Sequence, residues 1–315
     1  MIIVNDGRPD GRWHLHMTLT SAGVAMERGD RRVLHNGRWL WLRSLAWLVL
    51  LFFLTAAAFG LPLQAGVDIL PPERADLQFG ATLIASASAL VLYAFAVRLG
   101  EGRQPSELAL WPALKGLAVG VALGLLLMVI LMAVMALSGL YAITWVGLVP
   151  VWGGLSLTVQ AAVTEELWMR ALLFRLLWRA FGPLPAFALS ALVFGALHLA
   201  NPGATIVAGA TVTLAGLMFC ALYTLTGRLW VPIGLHLAWN FAQGSLFGAA
   251  VSGGDLGSSV ARSTARDATG AWLTGGTFGP EASVLALFLI SLVTVGALVL
   301  AHLAGRFVAP PGTQP

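Results

Sequence analysis

The sequence predicts an all-α membrane protein built as a bundle of about eight transmembrane helices. Of its 315 residues, 58% are hydrophobic and only 10% are charged. Apolar stretches of about twenty residues, the length that crosses roughly 30 Å of hydrocarbon, recur along the chain. The basic residues cluster between these stretches, as they do in the loops of membrane proteins.

Hydropathy divides the chain into a tail, a membrane domain and a second tail. Residues 1–43 are polar and Arg-rich, and we predict that they form a cytoplasmic N-terminal tail. Residues 44–305 hold the apolar segments, and residues 306–315 form a C-terminal tail. The predicted spans are 44–62, 78–98, 113–138, 146–178, 184–200, 204–226, 229–248 and 282–304.

The distribution of arginine and lysine predicts the orientation. With the N-terminus inside, fourteen of these residues fall on the cytoplasmic side and three, Arg74, Arg262 and Arg266, on the other. We therefore expect an integral membrane protein with both termini in the cytoplasm. The Gly-, Ser- and Ala-rich stretch 249–281 becomes an external loop, either a lid or a linker, and we favour a flexible linker.

Composition also limits the partners. The net charge of +4 and the pI near 10 do not indicate nucleic-acid binding, because the basic residues flank apolar segments. We predict membrane lipid, and no nucleic acid, as a partner. The single cysteine, Cys220, excludes an intramolecular disulfide, and we interpret it as a small buried hydrophobe.

The stretch AAVTEELWMR places three charges inside the fourth predicted span. Each such charge costs roughly 2.5–3.5 kcal/mol at mid-membrane, so these side chains should face protein or a water-filled cavity. Glu166 and Arg170 are four residues apart on one helical face and can pair. Glu165 projects about 100° away from Glu166 and is free to aim elsewhere. A structural ion pair with a spare carboxylate explains this stretch equally well.

Two further polar groups are FGALH, which ends at His198, and HLAWN, which runs from His236 to Asn240. His198 falls in the last turn before ANPG, and His236 and Asn240 share one helical face. Packing or helix-to-helix hydrogen bonds would explain each group alone. Counted at 1.5 Å per residue, Glu165, His198 and His236 lie about 15, 21 and 9 Å from the cytoplasmic surface, which predicts one pocket in the inner half of the bilayer.

A carboxylate, two imidazoles and a carboxamide are suited to the attack of water on an amide. Glu165 can act as general base, an imidazole can orient the water, and the Asn240 carboxamide can donate to the developing oxyanion. Glu165, His198 and His236 also match the composition of a His₂Glu zinc site, although the usual HExxH spacing is absent.

These residues resemble the motifs of the CPBP family, which comprises CAAX prenyl endopeptidases and bacteriocin-processing or immunity proteins. Members carry EExxxR, FxxxH and HxxxN on successive membrane helices. Here the motifs read EELWMR from Glu165, FGALH from Phe194 and HLAWN from His236. They define a motif core at 165–240 within a CPBP-type protease domain at 44–305.

The resemblance implies an intramembrane endopeptidase that hydrolyses a peptide bond in a membrane-associated or C-terminal peptide substrate. The partner is then a peptide or a lipid-modified protein, and the location is a bacterial plasma membrane. Glu165 and His198 would activate water, while His236 and Asn240 would line the oxyanion site. The residues expected to support them are Glu166 and Arg170, which would hold the helix and tune Glu165, and Phe194.

The sequence leaves the cofactor and the function class open. In the CPBP family a metal has been proposed and disputed. If Glu165 were a zinc ligand, only Glu166, already assigned to Arg170, would remain as base, so we favour no obligatory metal. The chain could also be a non-catalytic peptide-binding or immunity membrane protein, or an ion-coupled transporter. The gathering of polar residues at one place, without an inverted repeat, favours the peptidase.

Overall fold

The computed structural model describes residues 24–266 and 270–307, and this part of the chain is mainly helical. The helices are α1 (Leu40–Ile69), α2 (Ala75–Gly100), α3 (Ala113–Leu137), α4 (Trp152–Glu166), α5 (Arg175–Phe181), α6 (Pro183–His198), α7 (Ile206–Thr226), α8 (Trp230–Phe241), α9 (Ala271–Thr274) and α10 (Val284–Leu303). Strands β1 (Tyr141–Trp145) and β2 (Ala261–Ala265) pair antiparallel, with Tyr141 opposite Ala265. Apart from this small sheet, the predicted all-α class is confirmed.

Five of the described helices, α1, α2, α3, α7 and α10, are long and apolar enough to cross a membrane. Their outer faces expose large apolar side chains such as Phe53, Val91 and Phe288. Contiguous apolar faces of this kind are unusual on proteins surrounded by water and are typical of faces that contact lipid. The chain is therefore an integral membrane protein, as predicted.

The other three predicted spans are helical but shorter or interrupted. A π-helical segment, Leu167–Phe174, joins α4 to α5, and a second, Ala242–Leu246, extends α8. Helix α6 has 16 residues and α8 has 12. These three segments carry the polar motifs, which lower their apolar character. The total of eight spans stays a prediction.

Close contact between α3 and α8 fixes the helix that carries His236 and Asn240. Gly120 and Gly124 of α3 face the backbone of α8, and a Cβ atom at Gly120 would lie 2.3 Å from the Val231 carbonyl oxygen. Small residues four apart allow two helix backbones to approach each other, a common form of packing in membranes. The glycines therefore set the position of α8 in the bundle.

The described parts of the predicted loop 249–281 fold against the ends of the helices. Strand β2 pairs with β1, and the Gly253 amide donates to the Phe278 carbonyl. Gly253 has a φ of +81°, and a Cβ atom there would lie 2.1 Å from the Pro202 carbonyl oxygen. Because such glycines serve tight turns and close contacts, the flexible linker that we favoured from composition is wrong for the described residues.

Part of the predicted N-terminal tail also belongs to the folded bundle. Helix α1 begins at Leu40, a few residues before the predicted span. The Val24 amide donates to the Thr226 carbonyl at the end of α7, which holds the segment before α1 against the helices. Residues 1–23 and 308–315 of the two predicted tails lie outside the described residues.

A buried ionic cluster joins α5 to the loop after α2. Arg175 lies 2.7 Å from Glu101, and Arg103 lies 2.6 Å from Glu101 and 2.7 Å from Glu107. Arg175 also donates to the Arg28 carbonyl. The charge count placed Arg28, Arg103 and Arg175 on the same side of the membrane, and the structure brings the three together, with Arg103 and Arg175 buried in ion pairs.

Candidate active site

Glu166 lies fully buried at the end of α4. Its Oε1 is 3.1 Å from Nη1 of Arg170, so the predicted i,i+4 ion pair is confirmed. The Arg170 guanidinium lies over the rings of Phe194 and Phe219, with Cζ 4.5 and 4.7 Å from the ring centroids. Arg170 thereby connects the first motif to the second motif and to α7.

Glu166 makes a second contact that the sequence analysis did not anticipate. Nδ1 of His236 lies 2.9 Å from Glu166 Oε1, and the imidazole stacks on Phe219 with centroids 5.1 Å apart. A carboxylate paired with Arg170 accepts hydrogen bonds, so His236 donates its Nδ1 hydrogen to it. A neutral His236 then has a lone pair at Nε2, and donation from Nε2 to an oxyanion requires the imidazolium form.

Glu165 projects away from Glu166, as the helical spacing predicts. Its side chain is 29% exposed, and its Oε2 lies 3.9 Å from Nε2 of His236, which is too far for a hydrogen bond. This oxygen is buried and has no hydrogen-bond partner among the described residues. The two glutamates therefore face the two nitrogens of His236, and Glu165 keeps one oxygen available.

A cavity of about 50 Å³ contains His198, His236 and Asn240 in its wall. Nδ1 of His198 lies 2.9 Å from the Phe194 carbonyl oxygen, which can only accept, so a neutral His198 retains a lone pair at Nε2. The structure thus brings these three predicted residues together. Glu165 lies beside the cavity and not in its wall.

The cavity extends towards the end of the bundle that holds the loop 249–281. Its wall includes Thr211, near the start of α7, while the N-terminal segment contacts the opposite end of α7 at Thr226. From Thr211 to Phe219 the wall follows the middle of α7, so the predicted position in the inner half of the bilayer stays a prediction. Ser252 and Glu281 close the cavity on the side of the loop.

Glu281 is a cavity residue that the sequence analysis missed. It lies just before α10, is 7% exposed, and accepts hydrogen bonds at Oε1 from the Ser252 amide and hydroxyl. Trp239 Nε1 donates to Oε2 at 3.3 Å. Burial raises the pKa of the Glu281 carboxyl, and the hydrogen bonds oppose that rise. In the sequence, its position directly before the predicted span 282–304 was the one feature that could have indicated this role.

Comparison with known proteins agrees with this arrangement of motifs. Residues 147–242 match the family model described as Rce1-like, type II CAAX prenyl endopeptidase Rce1-like. The match covers about a third of the chain. The matched range contains all three motifs, so the resemblance to the CAAX protease family is confirmed. No curated protein and no solved structure matched the chain.

The described residues at 147–242 show no preformed zinc site. No group of three or more His, Cys, Asp or Glu side chains in the described ranges could hold a metal ion. The described structure does not group Glu165, His198 and His236 as ligands. His236 donates its Nδ1 hydrogen to Glu166 and keeps a lone pair at Nε2, as a histidine that binds a metal commonly does. The metal dependence of this chain stays a prediction.

Proposed function

We propose that the chain is an intramembrane endopeptidase that hydrolyses a peptide bond with water activated by Glu165. The observation that carries this proposal is His236 held between two glutamates, in the wall of a cavity that also holds His198 and Asn240. The Rce1-like match over these residues supports the reaction class. The proposed substrate is a membrane-associated or C-terminal peptide, including that of a lipid-modified protein.

Hydrolysis begins when water attacks the carbonyl carbon and Glu165 takes its proton. The Nε2 lone pair of His198 orients the same water. The oxyanion then accepts hydrogen bonds from the Asn240 carboxamide and from Nε2 of His236 in its imidazolium form, with Glu166 holding the ring through Nδ1. When the C–N bond breaks, the proton on Glu165 passes to the leaving amine.

Replacement of the proposed base provides the test. Purified wild-type protein and Glu165→Gln are placed in liposomes with a peptide library, and cleavage is followed by mass spectrometry. We expect the rate to fall by about 10²–10⁴-fold, the usual contribution of general base catalysis. The melting temperature should stay near that of wild type, because Glu165 Oε2 has no hydrogen-bond partner among the described residues.

The matched control is Glu73→Gln, which removes an exposed carboxylate between α1 and α2 and should leave the rate unchanged. Retention of a tenth of the wild-type rate by Glu165→Gln would exclude Glu165 as the base. Binding of peptides by wild type and variant alike, without any cleavage, would instead support the non-catalytic peptide-binding alternative.

A further inference from the structure

Glu281 gives the cavity a charged end that the proposed hydrolysis does not use. Within the described part of the chain it accepts hydrogen bonds from Ser252 and Trp239 and interacts electrostatically with His198, and none of its contacts is with lysine or arginine. A buried carboxylate without a cation is costly, and ionisable groups at such positions commonly serve a ligand. Oε2 receives only the 3.3 Å contact from Trp239, so it can accept another donor.

The remaining wall of the cavity is largely apolar. Val212, Leu235, Trp239 and Ile290 contribute to it. A cavity needs about 10–15 Å³ to hold one water molecule, so a cavity of about 50 Å³ has room for roughly three to five groups of that size. That is the size of one extended side chain and not of a peptide segment.

We propose that the end of this cavity at Glu281 is a subsite for a cationic side chain of the substrate, lysine or arginine. The proposal rests on the function proposed above and specifies the substrate class. The methylene stem of such a side chain would pack on the apolar wall, while its charged head would donate to Glu281 Oε2. Because His198 and Asn240 share the cavity, the cationic residue lies close to the scissile bond.

Paired substrates test the subsite. Peptides from the cleaved set are remade with lysine or norleucine at each position near the scissile bond, since norleucine keeps the stem and lacks the charge. For wild type we expect kcat/KM to be about tenfold or more higher with lysine at one position, as a hydrogen bond between charged groups supplies. In Glu281→Gln the ratio of the two rates should fall to near one, and in Glu73→Gln it should stay at the wild-type value.

If Glu281 only held Ser252 and Trp239 together through its hydrogen bonds, Glu281→Gln would change the rates with the lysine and the norleucine peptide by the same factor. The ratio of the two rates would then stay at the wild-type value. That result, or a ratio near one in wild type, would overturn the proposal. A second measurement separates the subsite from catalysis. N-acetyl-lysine amide should raise the melting temperature of wild type more than N-acetyl-norleucine amide does, and Glu281→Gln should abolish the difference. No such difference in wild type would also overturn the subsite, even if the chain cleaves no peptide.

Discussion

Among single residues, His236 has the most constrained environment in the candidate site. Glu166 receives its Nδ1 hydrogen, Phe219 stacks on its ring, and Glu165 lies 3.9 Å from Nε2. These contacts leave Nε2 as the atom that can reach a substrate. The pair formed by Glu166 and Arg170 therefore supports the site by fixing the imidazole, in addition to holding the helix.

Arg170→Ala should lower the folded yield and the melting temperature. The change leaves Glu166 as a buried carboxylate without its cation, and breaking a buried pair in this way costs about 3–5 kcal/mol. Thermal unfolding in detergent measures the effect. The matched control is Arg262→Ala, which removes an exposed arginine of β2 and should unfold like wild type.

Removal of both charges distinguishes the effect of an unpaired charge on stability from the effect of lost packing. The double variant Arg170→Met with Glu166→Gln should recover part of the stability lost in Arg170→Ala, because no unpaired charge remains. A wild-type melting temperature for Arg170→Ala would show that the buried pair contributes little to the folded state.

At the scale of elements, the polar motifs lie next to irregular helix. The π segment Leu167–Phe174 begins directly after Glu166, and Ala242–Leu246 begins two residues after Asn240. Single-turn π distortions are frequent at functional sites, where the wider turn redirects side chains. Where α8 contacts α3, both segments are α-helical, and this contact sets the position of His236.

Gly120→Ala should disturb the site from a distance. Its Cβ atom would lie 2.3 Å from the Val231 carbonyl oxygen and 2.8 Å from the Leu235 amide nitrogen, both on the backbone of α8. Helix α8 must shift to relieve this contact, at a cost of about 1–3 kcal/mol for overpacking. A shift of about 1 Å in a catalytic group can lower the rate by about 10²-fold. Melting temperature and cleavage rate report the two effects.

The matched control is Gly80→Ala in α2, where nothing lies within 4 Å of the added Cβ atom. The free energy of unfolding of this variant should rise by about 0.5–1 kcal/mol, because alanine favours the helix more than glycine does, and its activity should stay unchanged. Wild-type stability and rate in Gly120→Ala would mean that α3 and α8 are separated by more than this structure indicates.

At the scale of the whole molecule, the orientation of the bundle in the membrane can be measured. The segment before α1 and the loop 249–281 lie at opposite ends of α7, so one label on each end decides it. Arg175 contacts the Arg28 carbonyl, so it lies at the end of the bundle that holds the segment before α1. That orientation, like a bacterial plasma membrane, stays a prediction.

Cysteine labelling in intact cells measures the orientation. Arg38→Cys should be protected from an impermeant thiol reagent, and Ser258→Cys should react, because both positions are exposed and lie at opposite ends. The native Cys220 is buried and provides a silent background. The reverse pattern of labelling would place the termini outside and the loop end of the cavity towards the cytoplasm.

The sequence by itself determined the class of protein, most of the span positions, the Glu166–Arg170 pair and the three motifs. Each depends on consecutive residues, because hydropathy over about twenty residues and i,i+4 spacing are local properties. All three motifs lie within the residues that match the Rce1-like family.

The tertiary structure alone decided which partners these groups have. His236 meets Glu166 across 70 residues of chain, and Glu281 meets Ser252 across 29. Glu281 looked like a loop residue because nothing in its neighbours along the chain shows that it is buried. The glycines of 249–281 looked flexible for the same reason, since only packing against the helix ends separates a tight turn from a loose one. Contacts of this kind depend on how distant segments meet, which no window of sequence contains.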